Sequence, residues 1–79
     1  MKILIADYDA DYRQSVRDIL IGGGHVVIEA EDGQEAVRAY KDISGIDLVI
    51  TDNNMPNRGG LSVIREIKMI QPAARIWLV

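Results

Sequence analysis

The sequence predicts an α/β fold built on a parallel sheet, and three observations carry that reading. Four short runs of apolar, partly β-branched residues recur along the chain, stretches with helical periodicity lie between them, and glycine, proline or capping residues mark the joints. The resulting order is β-α-β-α-β-α-β, which right-handed crossovers close into one sheet with helices packed on it.

The first run, Ile3-Leu4-Ile5-Ala6, is uninterrupted, as a strand buried on both faces should be, and it stops at Asp7. From about Asp9 to Ile21, the residues Tyr12, Val16, Ile19 and Leu20 fall at i, i+4, i+7 and i+8 and form one helical stripe, with Arg13, Arg17 and Asp18 off it. Asp9 is placed to cap that helix. Gly22-Gly23-Gly24 ends it, and His25–Ala30 reads as the second strand. Asp32-Gly33-Gln34-Glu35 has capping-box spacing and opens a helix with Ala36, Val37 and Tyr40 on its inner face, closed by Ser44-Gly45. Ile46–Thr51 is a third strand, and Gly59-Gly60 permits the turn into a third helix whose inner positions are Leu61, Ile64, Ile67 and Ile70. Gln71-Pro72 ends that helix, because the residue before a proline avoids the helical region, and Arg75–Val79 is the fourth strand.

A chain of 79 residues, 48% hydrophobic and 27% charged, is enough for one small domain and not for two. Its net charge of −3 is spread without a basic stripe, which argues against nucleic acid and anionic membrane as partners. There is no cysteine, so disulfide and thiolate chemistry are excluded. The opening MKILIADYDA has an apolar run too short for a signal peptide or a membrane span, and a cytoplasmic location is expected.

In an open parallel sheet, the loops at the carboxyl ends of the strands form the functional edge. Asp7 and Asp9 follow the first strand and Asp52 follows the third, so adjacency of those strands would crowd their carboxylates together. Such crowding is costly unless a cation neutralises it, and carboxylates, a carbonyl and waters are the ligands of Mg²⁺. A carboxylate there can also act as a nucleophile towards a phosphoryl group. Asp52 is the candidate.

The segment ILIADYDADYRQSVRDIL, the Glu31-Asp32-Gly33 turn, and above all Asp47–Pro56 (DLVITDNNMP) followed by Gly60-Leu61 resemble the receiver domain of two-component response regulators, along the whole length of the chain. The resemblance implies a flavodoxin-like, three-layer αβα fold with family strand order 2-1-3-4-5, of which this chain would form a truncated sheet of order 2-1-3-4. It implies a phosphoacceptor rather than an enzyme, with any self-catalysed phosphotransfer left open. By the same resemblance Asp52 receives the phosphoryl group from a sensor histidine kinase or phosphotransfer protein. Asp7 and the main-chain carbonyl of Asn54 would join Asp52 in holding Mg²⁺.

Two departures from that pattern matter. The family carries two adjacent acids after the first strand, and the second, its direct metal ligand, is matched here by Tyr8, a poor Mg²⁺ ligand that reads as a side chain capping the site. Asp9 can substitute, because alternate residues of extended chain point the same way, or it can serve only as N-cap or solvated acid. Mg²⁺ binding is accordingly expected to be weak. The family's phosphoryl-contacting hydroxyl follows strand four and its lysine ends strand five, whereas this sequence runs to Val79, which the resemblance matches to roughly the first two-thirds of a receiver, without the last helix-strand-helix. A homodimer is then expected, formed through residues 74–79 and the uncovered sheet face. Two alternatives to the phosphoacceptor stay open. One is a phosphorylation-impaired module for dimerisation or docking; the other is a truncated or engineered half-domain.

His25, the only histidine, reads as a surface residue at a strand start, since it has no second histidine or cysteine to share a metal. Gly22-Gly23-Gly24 follows a helix and leads into a strand, the reverse of a dinucleotide fingerprint. Trp77 reads as core or interface.

Overall fold

The computed structural model describes residues 1–53, 55 and 59–79. Its elements follow the expected order: β1 (Lys2–Ala6), α1 (Ala10–Gly22), β2 (Val26–Ala30), α2 (Gly33–Asp42), β3 (Leu48–Thr51), α3 (Gly60–Ile70) and β4 (Ile76–Leu78). The four strands pair in parallel in the order β2-β1-β3-β4. β3 begins two residues later than the apolar run suggested. Asp47 is used instead at the strand's entrance, where its N–H donates to the Lys2 carbonyl at 2.8 Å and its Oδ2 accepts from the Lys2 N–H at 2.8 Å.

Alternation along each strand divides the interior between the two faces of the sheet. Leu4, Ala6 and Val49 point to one face and pack with Ala36 and Val37 of α2 and Val63 and Ile67 of α3. Ile3, Ile5 and Leu48 point to the other, where Val16 and Leu20 of α1 cover them. This makes three layers, with α1 on one side and α2 and α3 on the other.

The helix boundaries come from local chemistry. Asp9 Oδ1 accepts from the N–H groups of Asp11 and Tyr12, and Asp32 Oδ1 accepts from that of Glu35 at 2.8 Å. The return bond of the capping box goes from the Glu31 N–H to Glu35 Oε1 at 3.4 Å, one residue earlier than the ideal pattern. Gly24 and Gly45 adopt φ values of +89° and +79°, which suit glycine and let the chain turn into β2 and towards β3. His25 lies immediately before β2, which begins one residue later than the sequence suggested, and its Nδ1 faces the Met1 ammonium at 3.0 Å.

Two inner faces differ from the sequence reading. On α1, Tyr12 and Ile19 are exposed, while Arg13, Val16, Arg17 and Leu20 turn towards the sheet. On α3, Leu61 and Ile70 are exposed and the buried side chains are Val63 and Ile67. In both helices the stripe is rotated because a residue passed over as an inner position takes one: Arg13 in α1, Val63 in α3. Trp77 is 62% exposed and is not core. It is paired with Ile50 on the α1 face of the sheet, beyond the area that α1 covers.

Arg13 can be buried because its charge is matched. Its Nε donates to Glu29 Oε1 at 3.0 Å, and Arg17, one turn later, donates through NH1 to Glu29 Oε2 at 3.1 Å. Glu29 pairs with Ile5 across the β1–β2 ladder and so lies under α1. Burial opposes ionisation of this carboxyl, but the hydrogen bonds from Arg13 and Arg17 outweigh it and hold Glu29 below the ordinary glutamate range.

Gly60 fixes how α3 meets the sheet. A Cβ at this position would lie 2.8 Å from the Asp52 carbonyl oxygen, 2.9 Å from Asn53 Cα and 2.5 Å from Leu78 Cδ1, and two of those neighbours are backbone. Gly60→Ala is predicted to destabilise the protein by about 1–3 kcal/mol, as other overpacked sites do, measured as a lower urea midpoint; Gly59→Ala should cost less. A depressed carboxyl pKa contributes stability that is present above the unfolded-state value and lost as pH falls through the folded-state value. Melting temperatures followed from neutral pH to below the ordinary glutamate pKa of about 4.3 should therefore fall less in Glu29→Gln than in the wild type.

Candidate functional site

The carboxyl edge of the sheet is set by the pairing of its two central strands. Ala6 is in register with Thr51, and the Asp52 N–H donates to the Ala6 carbonyl at 2.9 Å. Asp7 and Asp52, the next residues on each strand, therefore leave the sheet side by side. Asp7, Asp9, Tyr12, Asp52 and Val79 line one cleft of 310 Å³ at this edge.

Each acid is held differently. Asp7 is 7% exposed, its N–H donates to the Ala30 carbonyl at 3.1 Å, and its Oδ1 accepts from the Asp9 N–H at 2.9 Å. Asp9 is the N-cap of α1 through Oδ1, one of the roles left open, and it also lines the cleft. Asp52 is half-buried and follows Thr51, a fully buried residue whose Oγ1 donates to the Asp52 carbonyl at 3.2 Å. Tyr8 does not cap the site as its position suggested. It is 66% exposed and is not among the lining residues, because alternation after β1 sends it the opposite way from Asp7 and Asp9. Asn54, the fourth expected contributor, lies outside the described residues.

The donor set can be tested against a metal ion. Oxygen donors from carboxylates suit a hard divalent cation, and Mg²⁺ keeps several of its waters while binding through one or two carboxylates. At roughly 30 Å³ per water, the cleft has room for such a hydrated ion. Among the described residues no group of three or more His, Cys, Asp or Glu is placed to hold a metal ion. The carboxylate oxygens of Asp7 and Asp52 suit only a cation that binds through one or two carboxylates and keeps most of its waters, as Mg²⁺ does.

A larger cavity of 680 Å³ lies at the opposite edge of the sheet, with Lys41, Asp42, Asp47 and Arg75 among its lining residues. Its charges are mixed in sign, and it faces the amino ends of β3 and β4, whereas open α/β sheets bind ligands at the carboxyl ends.

Sequence reasoning passed over Arg13. Its NH1 donates to the Asp7 carbonyl at 2.7 Å, in a buried contact directly behind the cleft. The signal was present, since Arg13, Val16, Arg17 and Leu20 fall at i, i+3, i+4 and i+7, but a charged residue does not ordinarily mark an inner face.

Comparison with known proteins agrees with this arrangement. The model of the response regulator receiver domain matches residues 3–79. The chemotaxis protein CheY of Bacillus subtilis is 46% identical over 76 residues, which is 95% of this chain and 62% of that protein. A response regulator receiver domain protein from Clostridium thermocellum superposes with a TM-score of 0.91 at 33% identity, over 98% of this chain and 62% of that one. The response regulator TrrA of Thermotoga maritima, solved in complex with Mg²⁺–BeF, gives 0.89 at 33% identity, over 95% of this chain and 64% of that one. The chain thus spans about three-fifths of the length of these relatives, in the same β2-β1-β3-β4 order expected from the sequence. Motif, topology and family model converge on one conclusion, that this chain belongs to the response regulator receiver domain family.

Proposed function

We propose that the chain acts in two-component signalling as a phosphoacceptor domain, and that Asp52 is the acceptor. The observation that carries this reading is the convergence of Asp7, Asp9 and Asp52 on one cleft at the carboxyl edge of β1 and β3. A carboxylate oxygen of Asp52 forms the new bond to phosphorus while the bond to the donor's leaving group breaks. With a phosphohistidine donor, the departing imidazole takes up a proton. The chain is in this reading a substrate of a sensor histidine kinase or phosphotransfer protein in the cytoplasm and not itself an enzyme.

Asp7 and Asp52, with Asp9 as a further candidate, are the described residues that would hold Mg²⁺, and that TrrA, a relative, was solved in complex with Mg²⁺–BeF supports a metal-assisted reading of the cleft. Bound there, Mg²⁺ supplies positive charge that offsets the repulsion between the acids and the incoming phosphoryl group. The protein's own contribution is positional. Asp7 is fixed through its N–H and Oδ1, and Asp9 is fixed by its capping bonds. Asp52 is anchored through its N–H to Ala6.

One observation favours a second, weaker reading. Tyr8 stands where the family has its direct metal ligand, and its exposed phenol lies outside the cleft lining. Metal affinity would then be low and the module would work mainly by docking. The exposed side chains of Trp77 and Val79 at the β4 edge support self-association through residues 74–79 and the adjoining sheet face. Among the described residues no helix is long and apolar enough to cross a membrane.

Incubation with acetyl phosphate and Mg²⁺ should add one phosphoryl mass to the wild type and none to Asp52→Asn, read by intact mass spectrometry; an adduct that persists in Asp52→Asn would contradict the assignment. Because the side chain at position 8 points away from the cleft, Tyr8→Asp should leave Mg²⁺ affinity unchanged in a calorimetric titration, and tighter binding would show that this side chain can reach the site. Sedimentation of the 79-residue chain at micromolar concentration should show a dimer, and a folded monomer would refute self-association.

A further inference from the structure

Beyond the acids themselves, the structure contains a buried guanidinium that no step of phosphoryl transfer uses. Arg13 is 6% exposed, yet it lies on α1, a helix whose other sheet-facing side chains include Val16 and Leu20. Its Nε is bound to Glu29 of β2, and its NH1 donates to the Asp7 carbonyl at 2.7 Å. Glu29 is in turn gripped through its other oxygen by Arg17.

The target of NH1 has a specific need. The N–H and C=O of one strand residue point to the same side, and the Asp7 N–H donates to Ala30, the last residue of β2. The Asp7 carbonyl therefore points past the end of β2, where the next residues turn into the cap of α2 at Asp32 and the ladder stops. A buried carbonyl without a donor is costly, and Arg13 supplies the donor that the strand cannot. The peptide of Asp7 is then held at its N–H by Ala30 and at its carbonyl by Arg13, while its carboxylate holds the Asp9 N–H. Three contacts fix the turn that carries two of the three cleft acids.

We propose that Arg13, anchored by Glu29, is a positioning residue that sets the Asp7–Asp9 turn and thereby the affinity of the cleft for Mg²⁺. The inference rests on the phosphoacceptor reading for its metal, but the clamp itself is a property of the loop. Groups that orient metal ligands typically change metal affinity by 10–100-fold when removed. A guanidinium is suited to this task because its planar fork can reach a carboxylate and a carbonyl at once, which a lysine ammonium on a flexible stem does less well.

The test compares Arg13→Met and Glu29→Gln with Lys2→Met in the full 79-residue chain. Lys2→Met removes the Lys2 Nζ bond to the Ser44 carbonyl at the opposite end of β1 and serves as a control for general destabilisation. Amide exchange followed by NMR should show the Asp9 N–H exchanging faster in Arg13→Met, and to a lesser degree in Glu29→Gln, than in Lys2→Met. Calorimetry with MgCl₂ should show Mg²⁺ affinity lowered by about tenfold or more in Arg13→Met and unchanged in Lys2→Met. Glu29→Gln, which keeps the shape of the site, decides the matter if Arg13→Met does not fold. Asp9 exchange that matches the Lys2→Met control in every folded variant would overturn the clamp. A wild type that takes up no Mg²⁺ would instead contradict the phosphoacceptor reading, with the exchange measurement still deciding the clamp.

Discussion

The hydrogen bond from the Asp52 N–H to the Ala6 carbonyl is the contact on which the site depends. It is the last rung between β1 and β3, and it brings two strands separated by two helices in sequence to the same height at one edge of the sheet. A slip of two residues in that pairing would move Asp52 about 7 Å along its neighbour and away from Asp7. A slip of one would send the alternating apolar sets of β3 to the wrong layers. The register is protected from both, because Leu48 must meet the α1 side and Val49 and Thr51 the other, and all three are buried. The packing of the core and the placement of the acids are thus one constraint.

Around that rung the loops have little freedom. Gly60 lets α3 start against the backbone of Asp52 and Asn53, where no side chain fits. Asp7 is held from the β2 side by Ala30 and from the α1 side by Arg13. Like charges brought into one cleft repel, and only a framework stabilised elsewhere can hold them there. That framework is the apolar sheet, with Ile3, Leu4, Ile5 and Val49 almost wholly excluded from solvent.

Most of the fold was legible in the sequence because strands buried on both faces are written as uninterrupted apolar runs, and because Asp9 and Asp32 carry cap chemistry in the right places. The nearness of Asp7 and Asp52 followed once the resemblance supplied the 2-1-3-4 order, because alternating strands and helices alone do not say which strands are neighbours. What was not legible came from helix phase. A short amphipathic helix with apolar residues on more than one side, such as α3 with both Leu61 and Val63, does not say which stripe faces inward until the sheet chooses. Arg13 was hidden for a related reason, since its burial depends on Glu29, sixteen residues away on another element. Tyr8 was misread for the opposite reason, since its place beside Asp7 suggested a cap on the site while local alternation sends it away from Asp7 and Asp9 into solvent.

The decisive measurement is a Mg²⁺ titration of the isotopically labelled protein, followed residue by residue by NMR. Shifts should concentrate on the amides of residues 7–12 and Asp52, at the carboxyl edge, and leave Lys2, Asp42 and Asp47 at the opposite edge unchanged. Shifts centred on Asp42 and Asp47, or none at Asp7 and Asp52, would contradict the assignment of the cleft as the metal-assisted phosphoacceptor site.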